Sequence, residues 1–296
     1  MKKKLAALTL TLAVPLALAA CGSDGGSEGP PTVTATTGIL ADITAQVAGP
    51  DADVEQLIPE GSSPHDFQLS AKDRAAVEDS MLLVSNGEGL EAGIPIDEID
   101  VERFELTDHV QDLLPLEDDG DADPHVWMDP ARVAAALPAL ADALAEADPD
   151  HAAGYRRRAK DYAAELTALD AEMAAELGAV PPANRELVTS HDALGYFADR
   201  YGFEVVATPF PASGAEAEAS AGRIAEVEDA ISATGVPTVF AEAEDDPEVL
   251  ELIAGETGVA IEPGLLVESP GPAGDYVGML RSDAALIAAG LRAPQE

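Results

Sequence analysis

The sequence predicts an α/β fold in two lobes bridged by one long helix. Short apolar, β-branched runs alternate with Ala-rich helical stretches, the pattern of α/β units built on parallel strands. The chain has 296 residues, 47% of them hydrophobic, which suits two compact lobes better than one small core. Between the two sets of runs, Tyr155, Ala159, Tyr162, Leu166, Leu169 and Met173 step by four and three, the one-sided stripe of a single long helix.

Taken in chain order, the first twenty residues are a leader rather than part of the fold. Lys2, Lys3 and Lys4 precede an apolar run from Leu5 to Ala20, and Leu18-Ala19-Ala20-Cys21 closes it with small residues before the sole cysteine. This is the pattern of a bacterial lipoprotein signal, with Cys21 as the lipidation site and the product held on the outer side of the cell membrane. The apolar run is short for a transmembrane anchor, which needs roughly 20 residues. Residues 21–31 are Gly, Ser, acidic and Pro, a flexible tether.

Strands are predicted near Val33–Thr36, Val54–Ile58 and Met81–Ser85, then Leu187–Ser190, Val205–Thr208, Thr238–Ala241 and Val259–Glu262. The long helix runs from about Asp150 to Leu177, preceded by Pro149 and stopped by Gly178, Pro181 and Pro182. This divides the body into an N-terminal lobe at 32–147, a linking helix at 148–180 and a C-terminal lobe at 181–296. Arg156, Arg157, Arg158 and Lys160 read as a solvated face of that helix.

Charge and composition exclude whole classes of function. The chain has 56 acidic against 16 basic residues and a formal charge of −40. A polyanion of this density repels phosphate, so nucleic acid and most polyphosphate cofactors are excluded. Aromatic residues make up only 4%, too few for a base-stacking platform. With Cys21 lipidated the body has no thiol, so a bound metal is held by imidazole, carboxylate, carbonyl or water, which favours zinc, manganese or similar ions.

The five histidines are the informative residues. His65 lies in Gly61-Ser62-Ser63-Pro64-His65-Asp66-Phe67, just past a predicted strand. His125 lies in Asp123-Pro124-His125-Val126-Trp127-Met128-Asp129-Pro130, beside the only Trp. His191 follows the predicted strand ending at Ser190 and opens a predicted helical stretch from Asp192 to Tyr201, whose N-terminal potential would keep its imidazole neutral. Ligands in open α/β sheets collect beyond the carboxyl ends of strands, so His65 and His191 are placed to meet across a cleft. His109 and His151 lack such surroundings and read as surface residues.

At these segments, with Asn86-Gly87-Glu88-Gly89-Leu90-Glu91 and Ser190-His191-Asp192-Ala193-Leu194-Gly195-Tyr196-Phe197, the chain resembles the zinc- and manganese-binding solute-binding lipoproteins of ABC importers, the ZnuA/TroA type. The resemblance runs from about Thr32 to Leu291. It implies two Rossmann-like α/β lobes joined by one rigid helix, with a metal in the cleft between them. It further implies His65 and His125 as ligands from the first lobe and His191 from the second, in a monomeric receptor that serves an ABC permease and its ATPase. The fourth family ligand is usually an Asp shortly before the last helix. Glu268, in Leu266-Val267-Glu268-Ser269-Pro270, stands there instead, with Glu242 and Asp275 as alternatives.

A His in the third motif is typical of the family's zinc binders, and three imidazoles with one carboxylate suit tetrahedral Zn²⁺. Mn²⁺, which favours more oxygen, is the alternative. The acidic stretch Glu117-Asp118-Asp119-Gly120-Asp121-Ala122-Asp123 reads as a solvated loop or a weak cation attractor. An EF-hand fails there, because counting from Asp119 puts Pro124 at the position of the loop Gly. Gly87-x-Gly89-x-x-Ala92 matches a relaxed dinucleotide fingerprint but runs into Gly93-Ile94-Pro95 rather than a helix. H-E-x-x-H and a P-loop are absent, and G-x-S-x-G occurs only at Gly25-Gly26-Ser27-Glu28-Gly29, within the tether. The rival readings are a zinc-dependent hydrolase on the three histidines, which would keep an exchangeable water, and a structural surface lipoprotein that binds no metal tightly.

Overall fold

The computed structural model describes residues 29–116, 121–210, 220–243 and 248–292. The leader, Cys21 and nearly all of the tether lie outside these residues, as does most of the acidic stretch.

In the first half, β1 (Thr32–Ala35) leads through α1 (Gly38–Ala48) to β2 (Asp53–Gln56), then through α2 (Ala71–Glu78) to β3 (Leu82–Ser85) and β4 (Arg103–Glu105). These strands form one parallel sheet in the order β2-β1-β3-β4. Val33 and Ala35 of β1 and all of β3 are buried, which explains their apolar character. Thr37 caps α1 by accepting from Leu40 N, and Ser70 caps α2 by accepting from Asp73 N. Three predicted strands appear here with ends shifted by one or two residues. The fourth, Arg103-Phe104-Glu105, is not among those predicted: it is three residues long with one buried side chain, too short for a periodic signal.

Two helices follow, α3 (Pro130–Ala147) and α4 (Ala152–Leu177). Asp129 caps α3 by accepting from Ala131 N and Arg132 N, and Pro130 takes the first helical position. The 26 residues of α4 span ~39 Å, and its buried side chains include all six predicted stripe residues. The helix ends at Gly178. Arg158 departs from the solvated face expected of it. Its guanidinium donates to Val47 O and Ala48 O at 2.8 and 2.6 Å and pairs with Asp51 at 2.8 Å, closing the carbonyl end of α1.

The second half holds β5 (Glu186–Val188), α5 (Gly195–Tyr201), β6 (Glu204–Ala207), α6 (Ala221–Thr234), β7 (Thr238–Glu242), α7 (Glu248–Thr257), β8 (Ala260–Leu265) and α8 (Tyr276–Arg292). Parallel pairs β5-β6 and β7-β8 are joined by a bridge between Thr189 and Phe240, so the strands run β6-β5-β7-β8, the arrangement of the first sheet repeated.

The long helix α4 packs on α3, on α1 of the first half and on α8 of the second. One apolar core runs from Val33 through Trp127, Leu166 and Tyr196 to Leu291, so both halves share it. Smaller clusters lie on the far side of each sheet, around Val77 and Leu83 and around Val227 and Val239. Among the described residues no helix is long and apolar enough to cross a membrane.

Candidate metal centre

His65, His125 and His191 come from three separate segments and converge. Their ligand nitrogens all lie within 4.8 Å of one another, the group of metal-donor side chains that stands out among the described residues. Ring centroids are 5.3 Å apart for His125 and His191, 5.6 Å for His65 and His125 and 6.3 Å for His65 and His191. The Nε2 atoms of His65 and His125 are buried with no hydrogen-bond partner among the described residues. Buried nitrogen lone pairs facing one another are costly unless something electropositive sits between them.

Two of the rings are oriented by carboxylates. Asp123 Oδ1 accepts from the His125 backbone amide at 2.9 Å and lies 2.7 Å from its Nδ1. Glu242 Oε1 accepts from the His191 amide at 3.1 Å and lies 2.8 Å from its Nδ1. A carboxylate at Nδ1 places the proton there and leaves Nε2 as the donor atom, the outer arrangement found around metal-bound histidines. Glu242 is itself set by its amide, which donates to Ser190 Oγ at 3.1 Å. Glu242, offered from sequence as a substitute ligand, lies against the amide and Nδ1 of His191. The helix expected to start beside His191 begins at Gly195. The chain stays extended to a bridge between His191 and Phe210 and then turns, so a carboxylate rather than a helix end fixes this ring.

His65 is held differently. Burial, reinforced by His125 and His191, pushes its pKa down to about 3, so the ring is neutral at ordinary pH. Glu268 Oε1 stands 3.7 Å from its Nε2 and accepts from Ser63 Oγ at 3.2 Å. The structure thus brings Glu268 to the rim of the cluster beside His65. Asp275 is elsewhere: it is exposed and accepts from Gly278 N at 2.6 Å, capping the start of α8. His109 stacks on Phe104 and His151 pairs with Asp148, both exposed and away from the cluster.

A supporting layer went unread in the sequence. Glu91 is buried and accepts from Thr36 Oγ1, Asn86 N and Gly87 N, while burial raises its pKa. Asn86 in turn donates from Nδ2 to Pro124 O at 2.8 Å, tying the Asn86-to-Glu91 turn to the segment that carries His125. From the other half, Tyr196 donates to Asp123 O at 2.8 Å and accepts from Leu114 N. Gly195 approaches so closely that a Cβ there would stand 2.6 Å from Asp123 Oδ2. The spacing Asp-x-His at 123–125 was a readable sign of the Asp123 contact; the others depend on residues far apart in the chain.

Known proteins are similar to this chain in sequence and, where solved, in architecture. A family model described as zinc-uptake complex component A, periplasmic, matches residues 33–290. The manganese-binding lipoprotein MntA of Halalkalibacterium halodurans is 29% identical, with 98% of this chain and 99% of that protein covered. The iron-binding protein YfeA of Yersinia pestis is 32% identical, with 87% and 85% covered. The solved structure of the periplasmic zinc-binding protein TroA from Treponema pallidum superposes with a TM-score of 0.83 at 28% identity, covering 89% of this chain and 99% of that one.

Proposed function

The chain belongs to the zinc-uptake complex component A family of ABC-importer substrate-binding proteins, and from that premise we propose that it captures Zn²⁺ between its lobes and passes it to a permease. The family consists of transport receptors rather than enzymes, so the hydrolase reading gives way. The observation that carries the metal assignment is the convergence of three imidazoles, two of them pre-oriented by Asp123 and Glu242. In this reading the ligands are His65, His125 and His191, with Glu268 as the fourth.

Three nitrogen donors and one carboxylate favour Zn²⁺ over more oxygen-demanding ions. Mn²⁺ is the second reading, supported by MntA and by a fourth donor that is a carboxylate. Cys21 carries the lipid, residues 21–31 form the tether, and the receptor works outside the cell membrane with an ABC permease and its ATPase. Residues 32–147 and 181–296 form the lobes around the linking helix at 148–180.

The deciding experiment is titration of the chelator-stripped protein with Zn²⁺ and Mn²⁺ against a competing indicator. His65→Ala, His125→Ala and His191→Ala should each weaken Zn²⁺ by about a hundredfold or more, beyond the loss typical of an outer contact. His109→Ala and His151→Ala should leave it unchanged. Equal loss from either group would overturn the ligand assignment.

A further inference from the structure

We propose that Asp283 is a positioning residue for Glu268, and through it sets how strongly the site holds oxygen-preferring divalent cations relative to Zn²⁺. The proposal rests on Glu268 acting as a ligand. Asp283 lies on α8, remote from the histidines in sequence and fully buried. Its Oδ1 accepts from Leu266 N at 2.9 Å, while Oδ2 has no hydrogen-bond partner among the described residues. Burial raises its pKa above the usual carboxylate value, with Glu242 adding to the effect. A buried acid is an expensive way to hold one backbone amide, and an apolar side chain would fill the same space.

What it holds is the segment between β8 and α8. Leu266 is held by its amide, which donates to Asp283, and the next residue, Val267, by its carbonyl, which accepts from Trp127 Nε1 at 2.8 Å. Trp127 lies two residues past His125. Glu268 leaves this doubly pinned stretch, and its carboxylate reaches Ser63 and the edge of His65. Glu has one more methylene than Asp and so more rotamers to restrict. Pinning the backbone on both sides of Val267 is how the fold limits that freedom. Three imidazoles bind Zn²⁺ without the carboxylate, whereas Mn²⁺ depends on oxygen donors, so loosening the segment falls mainly on Mn²⁺.

The test uses the full chain, stripped of metal, with circular dichroism to confirm folding. Asp283→Leu removes the acceptor and keeps the branched shape; Asp283→Asn keeps an acceptor oxygen and the volume. Asp283→Leu should weaken Mn²⁺ by about tenfold or more, the range for outer-contact loss, and Zn²⁺ by under about threefold. Asp283→Asn should keep both affinities, and Asp283→Leu placed on Glu268→Ala should cause no further loss of Mn²⁺. Should Asp283→Leu fail to fold, Asp283→Ala takes its place in both backgrounds. Equal weakening of both metals, or further Mn²⁺ loss without Glu268, would reduce Asp283 to a structural residue and leave Glu268 as a ligand. If Glu268→Ala alone leaves Mn²⁺ unchanged, Glu268 is no ligand and the proposal falls with it.

Discussion

Trp127 and Val267 are joined by a 2.8 Å hydrogen bond from the indole Nε1 to the backbone carbonyl, across 140 positions of sequence. The same Trp127 offers its own carbonyl to Tyr276 OH at 2.5 Å. One residue next to the His125 turn is thus bonded to the Glu268 segment and to the start of α8. The α8 helix is tied back again where Tyr276 N donates to Asp42 of α1 at 2.9 Å. The walls of the site are braced by buried hydrogen bonds as well as by a shared core.

Trp127→Phe removes the donor and leaves the Val267 carbonyl buried without it. The expected cost is ~1–3 kcal/mol, the desolvation penalty of an orphaned acceptor plus some lost packing. Urea unfolding of the metal-free protein measures it. A variant as stable as the parent would show that water or a shifted segment satisfies Val267.

Asp123→Asn and Glu242→Gln keep the shape of each contact but replace a proton-accepting carboxylate with an amide. Either change weakens the preference for a proton on Nδ1, and with it the availability of Nε2. Each should lower Zn²⁺ affinity by about 10–100-fold, less than loss of a histidine. Loss in Glu242→Gln as severe as in His191→Ala would point to direct coordination by Glu242.

The His65 environment makes the metal-free fold sensitive to acid. The unfolded chain protonates His65 near its ordinary 6.5, while the folded chain resists until about 3. Between those values the unfolded state binds the extra proton, so stability falls as pH drops through this window. The contribution is complete above the upper value and amounts to a few kcal/mol at most, at about 1.4 kcal/mol per unit. Comparing the pH slopes of unfolding for the parent and His65→Gln isolates it. Parallel slopes between about pH 6 and pH 4 would contradict this assignment.

For Asp283 the sign is reversed. Its folded pKa lies above the unfolded 3.8, so the unfolded chain releases its proton first and stability is lost as pH rises above that value. Asp283→Asn removes the penalty and should make the protein more stable than the parent at pH 7. The gain should disappear toward pH 3. A gain independent of pH would have another source.

Much of this molecule was legible because its strands are short, apolar and β-branched, as strands of a buried parallel sheet must be. Seven of the eight described strands coincide with predicted runs and Arg103-Phe104-Glu105 does not, although Asp53-Val54-Glu55-Gln56, one of the seven, is mostly polar and exposed. The three clustered histidines were legible because histidine is rare in this chain and each sits beside Pro, Trp or a strand end. The orienting contacts were harder to read. Glu242 lies 51 positions from His191 and Tyr196 lies 73 from Asp123, so only the folded chain brings them together. Arg158 looked like one of several exposed cations because its role depends on where α1 ends.

Every strand of the four-stranded sheet precedes α4 in the chain, and every strand of the later pairs follows it. A chain emerging N-terminus first therefore completes one full sheet, with α1, α2 and α3 in place, before any strand of the second half has left the ribosome. His65 and His125 belong to that early piece and His191 to the late one, so the three imidazoles that converge in the folded protein can meet only once both halves have been made.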